Sequence, residues 1–143
     1  MAFLPGAWSG LLVGLSGTWL DTDYDPGIVD RGSDDFTLPR ASKNVYSAHV
    51  GYEWAGFSTR LAGVYRSEYL DTIGKSSAYD IYVAPHTQLD FSLDYKVSKN
   101  MSVYFEASNL LDEPLELYQG VRSRTLQNEE YGRTYAVGLK VAL

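Results

Sequence analysis

The sequence predicts an all-β fold, an antiparallel up-and-down meander of about six strands. Three observations predict it. Apolar and polar residues alternate with period two in six segments. No segment sustains a helical period, and Gly with aromatic and β-branched residues dominates. The connections between segments are short and long in strict alternation. At 143 residues, 45% hydrophobic and 14% aromatic, the chain has enough apolar material for an ordered fold.

Each strand follows from its own alternation. Residues 10–22 set Leu11, Val13, Leu15 and Trp19 on one face. Residues 44–54 set Tyr46, Ala48, Val50, Tyr52 and Trp54 against Ser47, His49, Gly51 and Glu53. Residues 57–69 oppose Phe57, Leu61, Tyr65 and Tyr69 to Ser58, Arg60, Arg66 and Glu68. Residues 87–97 alternate most cleanly, with Leu89, Phe91, Leu93, Tyr95 and Val97 between Gln88, Asp90, Ser92, Asp94 and Lys96. Residues 100–108 alternate Met101, Val103, Phe105 and Ala107 with Ser102, Tyr104, Glu106 and Ser108. The closing strand, 132–143, carries Tyr135, Val137, Leu139, Val141 and Leu143 on one face. A final residue that still continues the apolar face implies a strand held along its whole length by a neighbour.

Between these strands, "WAG" (Trp54 to Gly56) and "SKN" (Ser98 to Asn100) are tight turns, whereas 23–43, 70–86 and 109–131 are long connections. A meander then places every short turn at one end and every long loop at the other, the asymmetry of an outer-membrane β-barrel. The aromatics fit that orientation. Trp8, Trp54, Phe57 and Tyr95 fall near the short-turn end, and Trp19, Tyr46, Tyr65, Tyr69 and Tyr135 near the long-loop end. An apolar band between two aromatic girdles is what a bilayer demands of an outer wall. The opposite face carries His49, Arg60, Arg66, Glu68, Asp90, Asp94 and Glu106, which belong in a wet lumen or at solvent. A soluble β-barrel binding module with its apolar face turned inward is the alternative.

Composition removes several classes. Cysteine is absent, so no disulfide, thiol nucleophile or thiolate metal site arises. The apolar runs are far short of the roughly 20 residues a spanning helix needs. A net charge of −6 argues against nucleic acid. No Lys or Arg precedes Arg31, so the first residues do not read as a secretory signal. No catalytic constellation is present: "GLSGT" (Gly14 to Thr18) lies inside a strand, and His49 and His86 lack a neighbouring acid and nucleophile at motif spacing. Neither an enzyme nor a cofactor is expected. The acid concentrates in one stretch, where six Asp face only Arg31. Within it, Asp21, Asp23 and Asp25 alternate as a weak calcium candidate, but the EF-hand register fails because Gly27 comes late and Gly32 stands where Glu is needed.

Particular stretches resemble a known family. "LPRASKN", "GFSTRLAGVYRSEYLD", "QLDFSLDYKVSKNMSVYFEASNLLDEP" and "EEYGRTYAVGLKVAL" together resemble the C-terminal part of the barrel of TonB-dependent outer-membrane receptors. "NLLDEP" (Asn109 to Pro114) and "YGRTY" (Tyr131 to Tyr135) are the most specific pieces. The resemblance implies the last six strands of a 22-stranded barrel in the bacterial outer membrane, with no plug domain in this sequence. It implies uptake of siderophores or other scarce nutrients by a receptor that this piece cannot replace. Its partners would be the remaining N-terminal strands and the plug, in the same receptor or a separate chain, membrane lipid, and TonB through the missing part. Ligand contacts in such receptors would fall on loop residues such as Tyr118, Gln119, Arg122 and Arg124. Family members usually end on an aromatic residue, where this sequence has Leu143.

Overall fold

A computed structural model describes residues 6–32 and 34–142. Leu143, the last apolar position of the closing strand, lies outside the described residues. A short 3-10 turn (Gly6–Gly10) leads into ten strands: β1 (Leu11–Trp19), β2 (Asn44–Trp54), β3 (Phe57–Arg66), β4 (Tyr69–Thr72), β5 (Ile81–Val83), β6 (His86–Lys96), β7 (Met101–Ser108), β8 (Leu115–Gln119), β9 (Thr125–Glu129) and β10 (Thr134–Val141). Six of them form one antiparallel sheet in the order β1-β2-β3-β6-β7-β10, which is the expected meander. We call this sheet the wall. Its edges, β1 and β10, do not pair with each other, so the wall is an open arc of a barrel.

The register keeps the apolar positions on one face across all six strands. Val13 pairs with Val50, Val50 with Leu61, Leu61 with Phe91, Phe91 with Ala107 and Ala107 with Tyr135. A slip of one residue in any ladder would turn that strand's apolar set to the other side. The aromatic ends form as expected. Phe57 stacks on Tyr95 at 4.1 Å near the tight turns. At the other end Trp19 meets Tyr46 edge-on at 5.7 Å and donates its indole N–H to the Tyr46 hydroxyl, and Tyr46 stacks on Tyr65 at 6.0 Å. The β2–β3 turn is tight because Ala55 and Gly56 both take positive φ, 48° and 88°, the twist that suits a two-residue hairpin.

The long connections depart from the expected loops. β4, β5, β8 and β9 pair in that order into a second antiparallel sheet, which we call the cap. Its order repeats that of β3, β6, β7 and β10, because each cap strand continues a wall strand beyond an interruption. In the β3/β6 hairpin the wall ends at Arg66 opposite His86, and the cap begins at Tyr69 opposite Val83. Two residues are skipped on each side, Ser67–Glu68 and Ala84–Pro85. Pro85 has no N–H to give the ladder, and the neighbouring N–H groups turn elsewhere: Ser67 donates to Asn44 and Ala84 to Glu116. The expected strand 57–69 is therefore split. Glu68 lies in the interruption and Tyr69 opens a cap strand.

The buried side chains mostly lie with the cap and not the wall. Phe36, Leu70, Val83, Ala84 and Tyr118 are buried there, with Ala107 in the wall. The wall's apolar face stays open: Leu15 is 81% exposed, Val137 75% and Leu139 64%.

Candidate functional site

The face of the wall opposite the apolar one gathers the polar residues that the alternation placed together. His49 on β2, Arg60 and Arg66 on β3, Asp90 and Asp94 on β6, and Glu106 on β7 share it through the register: Gly51 pairs with Arg60, Arg60 with Ser92 and Ser92 with Glu106. Glu68 is not among them, since β3 ends at Arg66. Two rings on this face lie flat on a cross-strand glycine. A Cβ on Gly14 would collide with the His49 imidazole, and one on Gly138 with the Tyr104 phenol. Glycine suits both positions because the partner strand's ring occupies the space, and a larger residue would have to push that ring aside.

Charges on this face are partly matched within the wall. Lys140 Nζ donates to Asp94 at 2.9 Å and lies 4.9 Å from the centre of the Tyr104 ring. Lys140 and Tyr104 were not singled out from the sequence, although their parity in β10 and β7 puts them on the polar face. Asp90 accepts from the Gln88 amide at 2.9 and 3.1 Å and from the Asn109 backbone N–H at 3.0 Å. It therefore anchors the start of "NLLDEP".

That motif is the joint between wall and cap on the β7/β10 hairpin. Asn109 sits at φ 54°, a left-handed conformation that Asn tolerates better than most residues. Its side chain accepts from the Glu113 N–H at 3.0 Å and donates to the carbonyls of Glu113 and Gly132, each at 3.2 Å. Arg133 closes the contact by donating from Nε to the Leu110 carbonyl at 3.0 Å. "NLLDEP" and "YGRTY" are thus two halves of one hydrogen-bonded knot.

The expected loop contacts separate in space and in role. Tyr118 is buried, 5% exposed, and stacks on Tyr82 at 5.4 Å. Burial pushes its phenol well above the ordinary range, and the nearby Glu68 carboxylate adds to this. Tyr118 thus packs within the cap. Arg122 stays accessible, pairs with Glu68 at 3.3 Å, and lies 5.8 Å from the centre of the Tyr118 ring. Arg124 donates to the Ala78 carbonyl at 3.5 Å, and the Gln119 N–H donates to the Arg124 carbonyl.

The acidic connection does something its sequence did not suggest. Arg31, 5% exposed, forms a two-pronged ion pair with Asp80, Nη1 to Oδ1 at 2.5 Å and Nη2 to Oδ2 at 2.8 Å. Its Nε donates to Asp34 at 2.8 Å, and its guanidinium lies 4.6 Å from the centre of the Phe36 ring. Asp80 is only 1% exposed. Burial would push its carboxyl up, but hydrogen bonds from Arg31 and from the Gly74 N–H outweigh burial and hold it below the ordinary carboxylate range. The calcium candidate gains no support here. Asp25 Oδ1 accepts from the Gly27 N–H, and among the described residues no group of three carboxylates or imidazoles converges as a metal site.

The model of the TonB dependent receptor-like β-barrel family matches residues 3–110. No curated protein matches the chain. The chain belongs to the TonB-dependent receptor β-barrel family, whose members are receptors of the outer membrane and not enzymes.

Proposed function

We propose that this chain forms part of the wall of an outer-membrane transporter for siderophores or another scarce nutrient, and that it does not transport alone. The observation that carries this reading is the pair of faces on one sheet. The apolar face runs unbroken from β1 to β10 and no element within the described residues covers it. A soluble barrel or sandwich would bury that face, whereas lipid accepts it exposed. The charged face requires water or another protein surface.

The open edges support the second half of the proposal. Unpaired backbone at β1 and β10 is not tolerated in hydrocarbon, and closing with normal tilt takes about eight strands merely to fill the interior with side chains. A wet lumen needs more strands than this sheet supplies, from the same receptor or another chain. A plug lying against Arg60, Glu106 and their neighbours would complete the lumen, and coupling to TonB would pass through that part. Substrate contact would fall at the rim, on Arg122, Arg124 and Gln119.

Native mass spectrometry of the chain extracted from its own membranes in mild detergent tests this. Co-migration with a polypeptide carrying the further strands supports the reading. A water-soluble, monomeric chain overturns it.

A further inference from the structure

The three long connections are not independent loops. The connections 67–85 and 109–133 pair through β5 and β8. The connection 20–43 is tied to them at several points. The Arg40 N–H donates to the Leu70 carbonyl at 2.7 Å, Arg40 Nε meets Asp71 at 3.1 Å, and Arg31 reaches Asp80. Asp80 touches all three. Its side chain holds Arg31 of the first connection and the Gly74 N–H of its own, at 2.8 Å. Its carbonyl accepts from the Gly120 N–H of the third, also at 2.8 Å. Below this junction the wall ladders are interrupted on all four continuing strands. The contacts among the three connections converge on Asp80, the pattern of a cooperative unit.

We propose that Asp80 joins the three long connections into one preassembled cap that holds together and loosens as a unit, not loop by loop. The idea goes beyond the transport reading and needs no substrate, so it stands or falls separately. A buried charge pair suits this role, because breaking it leaves an uncompensated charge rather than a slightly weaker contact.

Hydrogen exchange read by mass spectrometry on the full chain in mild detergent decides the matter. Asp80→Asn keeps an acceptor for Gly74 but removes the charge that holds Arg31. The expected result is exchange faster by about tenfold, together, in 20–43, 69–83 and 115–129, with β2, β3, β6 and β7 unchanged. Acceleration confined to 28–35, or by unrelated factors in the three segments, overturns the proposal. A second variant covers the case in which Asp80→Asn also loosens the wall. Arg40→Cys with Asp71→Cys, in a chain that has no other cysteine, joined by a disulfide-containing bis-maleimide, gives a reducible latch between the first two connections. One cap predicts slower exchange in β8 and β9, which the latch does not touch, reversing on reduction. Protection limited to 36–44 and 69–72 overturns it.

Discussion

Arg31 and Asp80 show at the residue scale how much a single contact can decide. The folded Asp80 carboxyl lies below its ordinary value, so the stability it contributes is complete above the unfolded-chain value of about 3.9 and is lost as pH falls through the lower folded value. Arg31, Asp34 beyond it and the Tyr82 phenol are the titratable groups facing Asp80. The stacked Tyr82–Tyr118 pair should thus keep its near-ultraviolet circular dichroism from neutral pH down to about pH 4 and lose it only below, with the acid step absent in Asp80→Asn. Asn109 makes a second case. Asn109→Ala removes three hydrogen bonds and strains a left-handed backbone, and should cost about 2–3 kcal/mol in urea unfolding from detergent, of which Asn109→Gly should recover about 1. The identity of Asn109 was legible as part of a motif, but its role was not. Nothing local links it to Gly132, just as nothing links Arg31 to a partner 49 residues away.

Strand parity governs the element scale. Leu93 and Ser92 are neighbours on β6 that face opposite sides of the wall. Leu93→Arg should cost about 2–4 kcal/mol in bilayer folding titrations, while Ser92→Arg, on the charged face, should be nearly neutral. Equal costs would mean that both faces meet the same medium. The six wall strands were readable because each runs for eight or more residues with one apolar side. β4, β5, β8 and β9 were not, because strands of three to five residues have too few positions to show a period. They exist because distant connections pair with one another. The split of the expected strand 57–69 has the same origin: alternation continues through Ser67 and Glu68, but Pro85 across the ladder interrupts the pairing.

For the whole molecule, the open apolar face and the two free edges set the behaviour. The chain should precipitate or self-associate when detergent is diluted below its micelle concentration, and light scattering should follow this at any pH that leaves the wall folded. A stable, monodisperse monomer in plain buffer would mean that the apolar face is covered after all. Period two determined the number of wall strands and the side each residue faces, since a pleated strand hands alternate residues to opposite faces, and the alternation of short and long connections determined the ends at which they lie. The motif stretches further identified the family. Tertiary structure alone decided that the connections fold into a cap, that Glu68 falls in the interruption and Tyr118 in that cap, that Asp90 and Asn109 lock a joint, and that Asp80 holds three connections together. Those outcomes depend on contacts between residues far apart in the chain, whose formation is favourable only once the wall has brought the connections side by side.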